Sequence, residues 1–296
     1  MSFLEAIGTA VPAQRFAQSE IKAKAAEVVT AVAPALLEYL DIFDTTGIKS
    51  RYLVRELDWY LGAHGWKARS EIYKDEGLNL IEQAATRALE QAKLRPTDIG
   101  GIIFVSTTGI STPSLDARLV NRMGFPSSIQ RLPLWGLGCA GGVAGLALAG
   151  DLTRAHPDRR YLLLSLELCS LAFHLGDLDI RSFVAATLFG DGAAAAIVRG
   201  DQVNGASKAQ LRPGNSHEWK SSEDVMGWNV LDEGLSVVFS RRIPQIVEDE
   251  FAPVVHAYAG RNGGSPDRYV FHPGGTKVLQ AYEKALGIKP EQLDTA

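Results

Sequence analysis

Three apolar runs narrow most sharply what this 296-residue chain can fold into: Ile102–Val105 and Ala193–Val198, each unbroken, and Tyr161–Leu166, interrupted only by Ser165. A strand with one wet face alternates apolar and polar side chains, whereas an unbroken run marks a strand buried on both faces. Such strands need a helical layer on each side, and the intervening segments supply it. Residues 78–92 place Leu78, Ile81, Ala85, Ala88 and Ala92 on one face at helical spacing, with Glu82, Gln83, Arg87 and Glu90 elsewhere. Pro96 and the Gly100–Gly101 pair stop that helix. Pro113 and Asp116 open another, reaching Met123. Residues 131–137 read as a strand, 140–155 as a helix, and part of 177–189 as a shorter helix; Gly190-Asp191-Gly192 then turns into the last apolar run. Strands alternating with helices predict an α/β fold with parallel pairing and right-handed crossovers.

A second, smaller block follows. Residues 200–222 are polar, carry Pro213 and Gly214, and read as a linker or exposed hairpin. Residues 242–259 read as a helix with Ile243, Ile246, Val247, Phe251, Val254 and Val255 apolar, Tyr269–Phe271 as a short strand, and 276–286 as a helix. The closing Leu293-Asp294-Thr295-Ala296 shows no strand pattern. The expected division is an N-terminal unit over 1–200 and a C-terminal unit over 201–296 that stops early.

The net charge of -4 and pI near 5.9 argue against a nucleic-acid partner. Two cysteines, Cys139 and Cys169, make no disulfide framework; free thiols fit a reducing compartment, so the expected location is the cytoplasm. The N-terminus carries Glu5 and no long apolar core, unlike a signal peptide. Leu132–Gly150 contains no charge and approaches membrane-spanning length, but Pro133 and its six glycines favour a strand, a tight turn and a small-residue helix over a span.

That uncharged stretch holds the chemistry. In Trp135-Gly-Leu-Gly-Cys139-Ala-Gly-Gly142, the cysteine falls where a strand hands over to a helix. The positive end of a helix dipole favours thiolate, the nucleophilic form. Gly138, Ala140, Gly141 and Gly142 let the backbone turn sharply and a substrate approach, and nearby N–H groups can face an oxyanion. A lone cysteine is usually inert and buried; this setting resembles instead the strand-to-helix elbow that presents serine nucleophiles. Gly136, Gly138 and Gly141 also satisfy the dinucleotide-binding G-x-G-x-x-G pattern, with Glu167 at the end of the next strand. A thiolate there would compete with pyrophosphate for the same helix N-terminus. Among six histidines, His64, His156, His174, His217 and His256 lie in unremarkable settings. His272 stands where Tyr269–Phe271 ends in Pro273-Gly274-Gly275, and strand ends are where ligands meet α/β sheets. On spacing alone it is equally a loop histidine and a partner for the thiol.

Three segments together, Gly136–Gly142, Leu188–Val198 and Phe271–Gly275, resemble the thiolase superfamily, and within it the type III polyketide synthases. The segments Val105–Leu119, Leu166–Phe173 and Asp224–Pro244 resemble most the bacterial alkylresorcinol and alkylpyrone synthases. The resemblance implies a five-layered αβαβα sandwich of two similar halves, a homodimer, and acyl-CoA and malonyl-CoA as substrates with no metal or redox cofactor. It implies Cys139 as nucleophile and His272 as its partner. Phe189 matches an aromatic gatekeeper. Thr107, Cys169, Ala172 and Val237 match positions lining the acyl cavity, with Val237 in place of a larger phenylalanine. Thr112 matches a position where the partner subunit reaches the cavity. Lys49, Arg51, Gly275 and Thr276 match CoA-binding positions. The family's triad asparagine, in a Gly-Asn-x-Ser loop after the histidine, has no counterpart here: Asn215 and Asn262 both precede His272. The family's Gly-Phe-Gly-Pro-Gly loop is also missing, and the expectation is a truncated polypeptide with impaired catalysis. The resemblance leaves two enzymatic alternatives, a ketoacyl-ACP synthase III-like enzyme and an NAD-dependent dehydrogenase, and a third in an inactive binding protein.

Overall fold

The computed structural model describes residues 1–295. In chain order its elements are β1 (Ser2–Ala10), β2 (Gln14–Ala17), α1 (Gln18–Val32), α2 (Ile42–Thr45), β3 (Ser50–Leu53), α3 (Trp66–Ala92), β4 (Gly101–Val105), α4 (Leu115–Met123), β5 (Gln130–Leu134), α5 (Gly141–Ala155), β6 (Arg160–Leu168), α6 (Ile180–Leu188) and β7 (Asp191–Gly200). Then follow β8 (Ala209–Leu211), β9 (Met226–Val230), β10 (Leu235–Phe239), α7 (Ile243–Ile246), α8 (Ala252–Arg261), β11 (Tyr269–Phe271), α9 (Thr276–Leu286) and β12 (Leu293–Thr295).

The apolar runs do become doubly buried strands. A six-stranded sheet runs β5-β4-β6-β7-β1-β8. Successive β4 side chains face opposite ways. Ile102 and Phe104 pack with Leu162, Leu164 and Leu166 against α3 and α4, through Leu80, Ile81, Ala84, Ala85, Ala88, Leu115 and Leu119. Ile103 and Val105 pack with Tyr161, Leu163 and Val198 against Ala149, Leu146 and Leu152 of α5. Each fully buried leucine or isoleucine contributes roughly 1.5–3 kcal/mol relative to exposure. The sheet with helices on both faces is therefore the core of the molecule.

Parallel pairing holds for β4 with β5 and with β6. It fails for β7, which runs antiparallel to both β6 and β1. The reason lies in α6. This helix does not cross the sheet face but packs beside β10 and α2 at the end of the sheet, so the chain re-enters where it left, with Leu168 opposite Asp191. The N-terminus, expected only to lack a signal peptide, is the long strand β1 between β7 and β8. Its buried Glu5 accepts a 2.8 Å hydrogen bond from Arg160 Nε on β6. Buried charges persist when paired in this way.

The uncharged stretch 132–150 is part of β5, a turn and most of α5, and no helix among the described residues is long and apolar enough to cross a membrane. Residues 242–259 are helical as expected, with a π-helical segment at Val247–Phe251 between α7 and α8. The chain end differs from expectation: β12 pairs in parallel with β11, Tyr269 opposite Leu293 and Phe271 opposite Thr295. Three residues with polar side chains at two positions carry no apolar signal, which hid the strand.

Candidate active site

β4, β5 and β6 run parallel and end on one edge of the sheet, where α/β folds present ligands. Cys139 stands on that edge, in a single 3-10 turn, Gly138–Ala140, between β5 and α5. Gly138 has φ of +52°, a left-handed conformation that glycine alone adopts without strain. Its N–H donates to Thr107 Oγ1 at 3.1 Å, tying the turn to the end of β4. At Gly141 an added Cβ would lie 2.4 Å from Val105 Cγ1. Absence of a side chain there lets the first turn of α5 sit directly on β4.

Beneath the turn lies a fully engaged carboxylate. Glu167 accepts from the backbone N–H of Thr107 at 3.0 Å and of Thr108 at 3.0 Å, and from Thr108 Oγ1 at 2.7 Å. Thr108 Oγ1 in turn accepts from Leu168 N–H at 2.8 Å. Burial pushes the Glu167 carboxyl above the usual range despite these donors. The bonding leaves Glu167 committed to its own strand ends, so it does not stand ready for a ribose hydroxyl as a dinucleotide fold would require.

The electrostatics correct one expectation. The Cys139 thiol is raised above its ordinary value, first by desolvation and then by the Glu167 carboxylate. The residue is exposed, yet its surroundings still strip enough water to disfavour a thiolate. The positive helix end is outweighed, because the 3-10 turn sets Cys139 ahead of α5 and a negative charge lies behind it.

His272 directly follows β11. Desolvation lowers its pKa, keeping the imidazole neutral at neutral pH. Among the described residues no hydrogen bond joins it to Cys139. The two segments are neighbours all the same: Tyr282 of α9 has its phenol pKa raised by burial and by the charge of Cys139, and its ring packs 4.5 Å from that of Phe271. Phe251 completes this cluster, 5.4 Å from Phe271.

Phe189, Cys169, Ala172 and Val237 line one cavity of about 110 Å³ that opens to solvent. Phe189 ends α6, with its ring edge-on to Trp228 at 6.2 Å. Val237 on β10 pairs with Trp228 on β9. The opposite wall is apolar, from Ile21, Ala25 and Val28 of α1 with Phe43 and Leu57. Cys169 is free, and its pKa is raised well above normal by burial and by Glu167; Cys139 also contributes, so the two sulfurs lie within electrostatic reach. Thr107 is buried but faces the Cys139 turn through its hydroxyl instead of lining this cavity. Thr112 is exposed on the loop after β4, followed by a cis Pro113.

Of the expected CoA-binding residues, Lys49 is exposed, and Thr276 at the start of α9 donates weakly to the carbonyls of Thr45 and Thr46 at 3.4 Å, just upstream of it. Gly275, with φ of +113°, makes the turn into α9. Arg51 does not join them. It is buried, donating to Gln18 Oε1 at 3.0 Å and to the carbonyls of Ala186 and Phe189 at 2.7 Å each. Trp228 and the α1 wall went unnoticed in the sequence. The signal for Trp228 was its place in a short hairpin opposite Val237; α1, with its mixed composition, gave none.

Comparison with known proteins agrees with this arrangement. Residues 1–202 match the family of chalcone and stilbene synthases, N-terminal domain. A putative chalcone synthase of Bacillus subtilis is 37% identical over 309 residues, covering 100% of this chain and 85% of that protein. The α-pyrone synthesis polyketide synthase-like Pks18 of Mycobacterium tuberculosis is 30% identical over 229 residues, covering 75% of this chain and 58% of that protein. The crystal structure of 1,3,6,8-tetrahydroxynaphthalene synthase from Streptomyces coelicolor, a bacterial type III polyketide synthase, superposes with a TM-score of 0.92 at 32% identity, covering 98% of this chain and 83% of that one. A cysteine-bearing turn at the sheet edge, an apolar cavity and these matches all agree: the chain belongs to the chalcone and stilbene synthase family, the type III polyketide synthases, which are acyltransferases of the condensing class.

Proposed function

We propose that this chain loads a long-chain fatty acyl group from CoA onto Cys139 and extends it with malonyl-CoA, closing the product to an alkylpyrone or alkylresorcinol. The observation that carries this reading is the apolar cavity walled by Phe189, Ala172, Val237 and α1. Val237 in place of a larger aromatic leaves room for a chain. The name of the mycobacterial relative, an α-pyrone synthase, points the same way.

In this reading the Cys139 sulfur attacks the thioester carbonyl and CoA leaves with the proton. The neutral His272 imidazole takes the thiol proton as the sulfur attacks, passes it to the departing CoA sulfur, and later donates a hydrogen bond to the enolate oxygen formed when malonyl-CoA loses carbon dioxide. The enolate carbon attacks the acyl–Cys139 carbonyl; the new carbon–carbon bond forms as the carbon–sulfur bond breaks, which frees Cys139 and leaves the extended β-keto chain on CoA. Lys49, Gly275 and Thr276 hold the CoA phosphates at the mouth. No resident cofactor enters; the CoA thioesters are substrates. Two copies pair through the exposed apolar side chains Ile110, Trp135, Leu137 and Val143, setting the Thr112 loop against its counterpart.

Product analysis by liquid chromatography and mass spectrometry tests the starter assignment. With a long-chain acyl-CoA and malonyl-CoA the expected products are alkylated pyrones or resorcinols. Products built from malonyl-CoA alone, with the fatty acyl-CoA ignored, would overturn it.

A further inference from the structure

Cys139 and His272 are both exposed to solvent. Gly136, Leu137 and Ala140 around the cysteine are exposed as well, and so is Pro273 after the histidine. Among the described residues, neither Cys139 nor His272 lines the apolar cavity. The contact between copies proposed above uses Ile110, Trp135, Leu137 and Val143, not these two groups. Wherever the acyl tail lies, a thioester carbonyl on the Cys139 sulfur therefore stands at an exposed turn, within reach of water. A condensing enzyme protects its acyl intermediate by excluding water until the carbon nucleophile arrives. The described residues leave this turn open.

The titratable groups around the sulfur differ in what they can do to that water. Glu167 is committed to the N–H groups of Thr107 and Thr108 and to the Thr108 hydroxyl. Burial, and then the charge of Cys139, raise the Tyr282 phenol, so it stays protonated at neutral pH. Cys169 is held as a neutral thiol by burial. His272 follows Phe271, whose ring packs on Tyr282, and desolvation keeps its imidazole neutral and able to take a proton. The Cys139 N–H lies against its own sulfur, so one backbone donor already faces the reacting atoms. Resting on the synthase reading above, we propose that this chain is also a fatty acyl-CoA thioesterase, in which water deacylates Cys139 with His272 as general base. The water oxygen bonds to the acyl carbon and the carbon–sulfur bond breaks; one water proton passes to His272 and from there to the leaving Cys139 sulfur. The balance is acyl-CoA plus water to fatty acid plus CoA. Water and the enolate carbon compete for the same acyl–Cys139, and malonyl-CoA sets the partition between hydrolysis and extension.

The test incubates the 296-residue chain with a saturated long-chain acyl-CoA in 18O-labelled water without malonyl-CoA. Chromatography with mass spectrometry follows free CoA and free fatty acid, and intact mass follows acyl–Cys139. The expected result is a burst of one CoA per chain, then slower steady release of CoA and fatty acid in equal amounts, with one 18O in each new carboxylate. Loading outruns hydrolysis while acyl-CoA is in excess, so acyl–Cys139 accumulates during turnover. His272→Gln is expected to slow the steady release about a hundredfold, the usual contribution of a general base. If His272→Gln does not load, isolated wild-type acyl–Cys139 decides: it should decay about a hundredfold faster folded than in urea. A burst with no further release, equal decay folded and unfolded, or steady release undiminished in a loaded His272→Gln overturns the thioesterase. If Cys139 neither loads nor releases CoA, the synthase reading itself falls, a different result from a stable acyl-enzyme.

Discussion

The sheet edge that carries Cys139 and the β11–α9–β12 unit that carries His272 are built to different standards. Around Cys139, β4 is buried along its whole length, and Leu162, Leu164 and Leu166 of β6 are shut away on a six-stranded sheet with helices on both sides. Around His272, the strands are three residues long, and among the described residues from β11 onward the buried apolar side chains are Val278 and Ala281. Aromatic packing of Phe251, Phe271 and Tyr282, an exposed Lys284–Glu248 ion pair and weak Thr276 contacts to the Thr45–Thr46 turn hold that unit. Exposed pairs add little stability. Cys139 therefore sits on a rigid platform, while His272 rides on a unit with little stability of its own, whose local opening costs less than global unfolding.

Truncating one side chain on each support is the strongest way to break this contrast. Leu164→Ala should lose roughly 2–5 kcal/mol of stability, through lost burial and a cavity. Val278→Ala should lose no more than about 1–2 kcal/mol. Urea midpoints read both; equal losses would mean that the second unit shares the main core.

A pH experiment sharpens the platform side. Asp191 opens β7, and burial raises its carboxyl from 3.8 to about 6, partly opposed by its donors and by Arg51. The folded chain thus binds a proton more readily than the unfolded one between about pH 4 and 6. The stability this group contributes is fully present below that window and falls as pH rises through it, by about 3 kcal/mol. Asp191→Asn should remove this component from the pH dependence of unfolding; an unchanged slope would contradict it.

How much of this contrast was readable in advance follows from the same physics. Apolar runs, broken in β6 only by Ser165 between Tyr161 and Leu166, exposed β4 and β6, and the glycines around Cys139 exposed the turn, because double burial and a left-handed backbone each demand particular residues. β1 stayed hidden because Glu5, paired with Arg160, interrupts its apolar pattern. The antiparallel entry of β7 was invisible, since nothing in α6 itself tells that it packs beside the sheet instead of across it. At the site, the Phe189–Val237 cavity was foreseen through family resemblance. The raised thiol was not, because it depends on Glu167 being drawn to the Thr107–Thr108 turn by donors remote in sequence. Arg51 misled for a related reason: a basic residue between Ser50 and Tyr52 reads as surface until its partners Ala186 and Phe189 are known.

Smaller effects probe the site itself. Val237→Phe should cut acylation by the longest acyl-CoAs about tenfold relative to short ones, because a large ring would overfill the cavity. Unchanged chain-length preference would remove Val237 from the cavity wall. Glu167→Gln should lower the Cys139 pKa and speed its alkylation at neutral pH several-fold, since the second cause of the raised thiol is that carboxylate. Slower alkylation in a folded variant would show that Glu167 does not act through charge.

The most direct measurement is the intact mass of the chain after incubation with a long-chain acyl-CoA, for wild type and Cys139→Ala side by side. The account predicts that wild type gains one acyl group and that Cys139→Ala gains none, with Cys169 left unmodified in both. Equal acylation of the two proteins would contradict it.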